Sequence, residues 1–308
     1  MAMTGESTRP TTGMVLHQVL ALSALNFLLN DEGTIEADNP ARIEVTTGGP
    51  RRRSTETERV HQSRVALRRI RSNLRTFRLV VDPAWSTSLR AELAWYGECL
   101  GELRDLFVLR DMLSINGPLL LDEGDLEPIL TIVSQSISGA QTRVAEARGG
   151  DRHARLVEQM NLLWDSPQFT DKAEKPAGKL MPTLLHRSWR DVRGAGRTAK
   201  KEPTDQNLHK LRIRSKGLRY GCETVALVAG DPARRTTRAT KTLQGKLGDL
   251  HDACASVEWL EALAEDHPEL ARSTEGLLVV QRATAAVTRR GWKKDLKEIE
   301  RRWHKWQG

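Results

Sequence analysis

The chain is poor in the residues that usually announce chemistry. Its 308 residues contain three cysteines, Cys99, Cys222 and Cys254. They have no CxxC spacing and cannot all pair, so a disulfide framework is excluded. Reduced, buried thiols in a cytoplasmic setting are expected. Two tyrosines and four phenylalanines are too few for an obvious base-stacking platform, although eight tryptophans are present. There is no GxSxG, P-loop, HExxH or DxD-type cluster, and no alternating ExExK strand. Those absences argue against the common hydrolase, nucleotidase and metalloenzyme sites. No catalytic residue, cofactor or metal ligand set is therefore expected. The strongest apolar run, Met14–Leu29, is interrupted by His17, Gln18 and Asn26 and reads as too short and too mixed for a membrane span. Arg9 against Glu6 makes a poor signal-peptide n-region, so neither a signal peptide nor a membrane partner is expected.

Acid is the other deficit. Lys and Arg number 48 against 40 Asp and Glu, for a formal charge of +8. The excess is clustered. Residues 60–78, 186–201 and 209–219 carry 6, 6 and 5 Lys or Arg residues, with Asp191 their one acid. An evenly basic surface serves solubility, whereas clusters suit a polyanion such as nucleic acid or a phosphate polymer. On a helix, His61, Arg64, Arg68, Arg71 and Arg75 fall within an arc of roughly 80°. Val60, Leu67, Ile70, Leu74 and Phe77 fill the neighbouring arc. The basic stripe thus borders the buried stripe, as it does in a helix that lines a groove.

The same pattern returns. In LHKLRIRSKGLR (208–219), His209, Arg212 and Arg219 stand 148 residues after His61, Arg64 and Arg71. Lys216 takes the place of Arg68, and Gly217 that of the cation Arg69. A second motif follows each copy: Leu100-Gly101-Glu102-Leu103-Arg104-Asp105, then Leu247-Gly248-Asp249-Leu250-His251-Asp252. His61 precedes Asp105 by 44 residues and His209 precedes Asp252 by 43. Two motifs repeated in order at matching spacing point to an internal duplication.

Read in order, residues 1–11 are a polar tail and 14–29 an apolar helix. Residues 30–54 form a long polar loop, taken as mobile, that ends in the run Arg51-Arg52-Arg53. The basic helix is predicted over 56–81, stopped by Asp82-Pro83. Further helices are predicted over 85–113, broken by Gly117-Pro118, and over 126–148 and 153–164. Residues 169–178 read as a linker. The second half is predicted as helices 180–201, 204–229, 234–264 and a region from 269 to 306, with Gly276 and Gly291 as weak points. Arg190, Arg193 and Arg197 share one face of 180–201 with His186 and Lys200. The fold class is therefore all-α: two antiparallel helical bundles, 12–168 and 179–308, related by a pseudo-two-fold internal duplication.

Arginine's planar fork matches phosphate oxygens in pairs. Imidazoles set among arginines make poor metal ligands, and His251-Asp252 stands where Arg104-Asp105 stands in the first copy. Asp105 and Asp252, with Glu102 and Asp249, are expected to orient and partly neutralise the arginines. Polyanion binding on the remaining cations follows. A nucleic-acid-binding helical protein is the alternative, and a phosphohydrolase acting on polyphosphate ranks below it. The tryptophans of the basic helices, Trp189, Trp292, Trp303 and Trp306, are expected in the core or at an interface.

VHQSRVALRRIRSNLRTF followed by LGELRD, and LHKLRIRSKGLRY followed by LQGKLGDLHD, resemble the CHAD domain, the conserved histidine α-helical domain. The resemblance runs from about Gly13 to Trp306 and includes both halves. It implies paired four-helix bundles with basic residues lining a groove or pore between them, binding of inorganic polyphosphate, and association with polyphosphate granules. By position, the implied binding residues are His61, Arg64, Arg68, Arg71 and Arg75, then His209, Arg212, Lys216 and Arg219, with Arg190, Arg193 and Arg197 beside them.

Overall fold

The computed structural model describes residues 9–31 and 56–307. The loop expected at 30–54 and the run Arg51–Arg53 lie, but for residues 30 and 31, outside the described residues. Ten α-helices and two short 3₁₀ turns make up nearly all of what is described, and no strand occurs among these residues. The helices are α1 Thr12–Asn30, α2 Glu56–Thr76, α3 Pro83–Leu120, α4 Glu123–Gly149 and α5 Asp151–Asp165. They continue as α6 Ala177–Lys201, α7 Asp205–Ala229, α8 Asp231–Asp266, α9 Ala271–Thr288 and α10 Trp292–Gln307.

By proximity the chain divides into two compact units that are discontinuous in sequence. One lies within Met1–Val19, Ser72–Ser86 and Gln168–Gly308, the other within Leu20–Arg71 and Thr87–Pro167. The segments 12–19 and 72–86, assigned from sequence to the first half, therefore stand with α6–α10. Specific contacts put them there. Thr12 donates through N and Oγ1 to Lys175 O at 2.8 and 2.7 Å. Thr224 Oγ1 donates to Asn73 Oδ1 at 2.9 Å, and a Cβ on Gly221 would stand 3.2 Å from Thr76 Cγ2.

α2 ends at Thr76, five residues before the predicted stop. Phe77, Val80 and Val81 are fully buried, and Val81 forms an isolated bridge with Phe169. Thr170 N donates to Val80 O at 2.9 Å and Asp82 N to Gln168 O at 3.0 Å. These long-range bonds, together with two β-branched valines, outweigh helical periodicity. Asp82 then caps α3, accepting from Trp85 N at 2.8 Å, with Pro83 in the first turn where its missing N–H is harmless.

α3 does not break at Gly117-Pro118 but runs on to Leu120. One lost bond near a helix end is cheap, and the absent Cβ of Gly117 makes room for Leu126, whose Cδ1 would lie only 2.5 Å from it. α7 and α8 are joined through the single residue Gly230 at φ 65°, a conformation that favours glycine. Of the two predicted weak points, only Gly291, at φ 82°, separates helices, while Gly276 lies inside α9.

α1 spans 19 residues rather than the predicted 16, and is long and apolar enough by length and composition to cross a membrane. Here Leu16, Leu20, Ala24 and Phe27 are fully buried against the rest of the chain. Burying four such side chains contributes on the order of 5–10 kcal/mol relative to exposure. In the unit containing most of the second half, α8 packs on α7, α9 and α10, and α6 on α7. Trp189 of α6 stacks on Trp303 of α10 with centroids 5.2 Å apart, and Trp292 is buried as well.

Candidate polyanion site

The unit that holds most of α2 carries the first basic stripe. His61, Arg64, Arg68 and Arg71 are all half-buried on α2, beside the fully buried Leu67 and Ile70. Burial comes first among the causes that hold His61 below its ordinary pKa. The charges of Arg104, Arg68 and Arg64 add to it, against Glu58. Arg71 is likewise lowered, by burial first and then by Arg90 and Arg68, with Glu98 opposing. Arg68 Nε is buried without a hydrogen-bond partner among the described residues. A Cβ on Gly101 of α3 would stand 2.7 Å from Arg64 Nη1, so this arginine lies directly against α3.

The other unit repeats the arrangement on α7 and α8. His209, Arg212, Lys216 and Arg219 are half-buried. His209 faces His251 with ring centroids 4.5 Å apart, and its pKa is lowered by burial, then by His251, Arg212 and Lys216. A Cβ on Gly248 would lie 3.6 Å from Arg212 Nη2. In each unit the HxxR arginine lies against the glycine of the second motif, and the fifth position of that motif acts on the HxxR histidine, Arg104 through its charge on His61 and His251 beside His209. Arg219 pairs with Glu223 at 3.7 Å, and its guanidinium sits 4.6 Å from the Tyr220 ring.

Arg75, one turn after Arg71 on α2, falls in the unit of α6 and α7. It is exposed and pairs with Asp191 Oδ2 at 3.1 Å, and Arg214 reaches the same oxygen at 3.6 Å. Arg78 stands near this group, with its pKa lowered by burial and by Arg187 and Arg190, against Asp191. Several cations therefore gather round one acid. Arg78, Arg187 and Arg214 were not singled out from sequence; the signal that pointed to them was a lone aspartate inside a basic run. Arg190, Arg193 and Arg197 are exposed on α6, and Arg193 and Arg197 make no ion pair among the described residues.

The orienting role expected of the acids is uneven. Asp105 is exposed and makes no ion pair among the described residues. Glu102 pairs instead with Arg143 of α4. Asp252 is half-buried, and its carbonyl accepts from Ser256 Oγ at 2.9 Å. The acid at the centre of a polar cluster is one that sequence reading missed. Asp31, at the end of α1, has a fully buried side chain. It accepts from Tyr96 Oη at 2.6 Å and from Arg148 at 3.1 Å, and lies 2.7 Å from His153 Nε2. Its four members are scattered over α1, α3, α4 and α5 and form no motif.

No group of three or more His, Cys, Asp or Glu residues is placed to hold a metal among the described residues. The three thiols form no disulfide, and burial raises the pKa of each.

No curated protein sequence matches the chain. Among solved structures it resembles the CHAD domain from the plant Ricinus communis, with TM-score 0.68 and 20% identity, over 96% of this chain and 92% of that one. It also resembles PptA from Streptomyces chartreusis, with TM-score 0.65 and 18% identity, over 96% of this chain and 99% of that one. Likeness at these identities speaks to the fold. The family model of the CHAD domain matches residues 46–261, a span that contains both HxxR helices and both LG motifs. The chain belongs to the CHAD domain family.

Proposed function

We propose that the chain binds inorganic polyphosphate on the basic faces of α2, α6 and α7 and does not turn it over. The observation that carries this reading is the recurrence of a half-buried cationic face, His61-Arg64-Arg68-Arg71 and His209-Arg212-Lys216-Arg219. On these faces the histidines are held below their ordinary pKa by surrounding positive charge as well as by burial. A face that disfavours one more proton is one that a polyanion relieves. Cations one helical turn apart, about 5.4 Å, are spaced to take successive phosphates along a chain. Half-burial lowers the local dielectric, so each contact is stronger than on an open surface.

Single-stranded nucleic acid is the less fitting polyanion. Three of the tryptophans that would supply stacking are in the core, two of them stacked on each other. In the cell, the reading places the protein in the cytoplasm, on or near polyphosphate granules. The test is a titration with polyphosphate of defined length, at two salt concentrations, with RNA as competitor. Tight binding that grows with chain length, weakens steeply with salt and resists RNA is the expected result. Displacement by RNA at equal phosphate concentration points to a general polyanion face. Phosphate release in the presence of magnesium overturns the non-enzymatic part.

A further inference from the structure

Gly101 sits in mid-helix, where glycine costs stability relative to alanine. Its backbone does not need glycine, since among the described residues only Gly230 and Gly291 have positive φ. The space beside it does. The three atoms nearest a Cβ built there all belong to Arg64: Nη1 at 2.7 Å, Cζ at 3.8 Å and Nη2 at 4.0 Å. A methyl group at 2.7 Å forces the guanidinium to move, and the end of a flexible side chain can do so without disturbing the helix. Gly97, one turn earlier on α3, has nothing within 4 Å. In the second motif Gly248 is looser, with Arg212 at 3.6 and 3.7 Å, an ordinary van der Waals contact.

We propose that Gly101 is a positioning residue for polyphosphate binding: it provides the bed on α3 in which the Arg64 guanidinium is seated before the anion arrives. The inference rests on the polyphosphate reading above. A seated guanidinium loses less freedom on binding than one that must first be ordered. The helix keeps a glycine here at a cost to its own stability, as positions serving function often do.

The experiment compares wild type with Gly101→Ala, Gly97→Ala, Arg64→Ala and the double variant Gly101→Ala/Arg64→Ala. Affinity for defined-length polyphosphate, the melting temperature and the His61 titration midpoint by NMR are measured for each. The midpoint reports the Arg64 charge without any polyphosphate, because that charge acts on His61. Gly101→Ala is expected to weaken binding about five- to tenfold, to melt no lower than wild type and to move the His61 midpoint. Gly97→Ala leaves affinity and midpoint unchanged, and Gly101→Ala adds no further loss in the Arg64→Ala background. Unchanged affinity and midpoint in Gly101→Ala overturn the inference, as does an equal loss in the Arg64→Ala background. A wild-type protein that binds no polyphosphate overturns the functional reading instead, while a moved midpoint still upholds the seating of Arg64.

Discussion

Replacing Asp31 by alanine tests how the unit that carries the first basic stripe is held together. The carboxylate is fully buried. One oxygen accepts from Tyr96 Oη at 2.6 Å and from Arg148 Nη2 at 3.1 Å, and the other lies 2.7 Å from His153 Nε2. Arg148 Nε also donates to Tyr96 Oη at 2.9 Å. Burial pushes the Tyr96 phenol far above its ordinary pKa, and the Asp31 charge pushes it further. Burial works against the charge of Arg148, but its two partners outweigh it and raise its pKa. Removing the carboxylate takes a buried partner from a guanidinium with 19% side-chain exposure and leaves the phenol O–H without its acceptor. Breaking a buried pair from one side costs about 3–5 kcal/mol, which corresponds to a fall in melting temperature on the order of 10 °C for a domain of this size. Tyr96→Phe removes one donor and one acceptor and should cost about 1–2 kcal/mol. The assay is urea denaturation followed by circular dichroism, with the two single variants and the double forming a cycle. Coupling of about 1–3 kcal/mol is expected. If Asp31→Ala stays within about 0.5 kcal/mol of wild type, a range typical of surface substitutions, the cluster does not hold α1 to α3, α4 and α5.

Two further perturbations address the basic faces. Charge reversal at Arg64 and Arg212 together is expected to weaken polyphosphate binding by about a hundredfold or more while helix content is kept; normal binding by the double variant would show that the face is misassigned. Proton linkage gives the second. The folded-state pKa values of His61 and His209 lie below the ordinary 6.5, so below about 6.5 the unfolded chain takes up protons that the folded chain refuses. Stability from these two residues is therefore complete above that value and lost as the pH falls. On the proposed reading, bound polyphosphate raises both folded-state values, so affinity should climb as pH drops through the same window. Melting curves and titrations at about pH 5.5 and about pH 7.5 check both signs, and equal affinity at the two would place these histidines away from the polyanion.

The all-α class was legible because the apolar spacing in α2, α6, α7 and α8 survives into the folded chain. Helix ends were legible only where local chemistry set them, as at Gly230 and Gly291. Val80 and Val81 leave α2 for partners almost ninety residues away, at Phe169 and Thr170, and nothing within the helix signals that. Gly117-Pro118 reads as a break by local rules, but Leu126 fills the space above the glycine. The basic stripes were visible as periodicity, including their partial burial. The partition of α2 between two units, which groups Arg75 with α6 and α7, was not, because periodicity carries no information about which neighbour each turn meets. The Asp31 cluster was invisible for a related reason. Its one trace is an acid closing an apolar helix and a histidine on the apolar face of α5.

The lowered pKa values of His61 and His209 also say something about the free protein. Part of each shift comes from neighbouring cations that the acids on these faces do not fully offset. The unliganded protein thus holds a positive potential that opposes folding. A polyanion bound only to the folded state removes that opposition and adds its own binding free energy, about 2.7 kcal/mol at a free concentration one hundred times Kd. Saturating polyphosphate should therefore raise the melting temperature by several degrees. Orthophosphate at the same total phosphate should raise it far less, because a single phosphate meets one helical turn and a chain meets several. Equal stabilisation by the two would mean that isolated anion pockets, and not continuous faces, account for the basic character of α2 and α7.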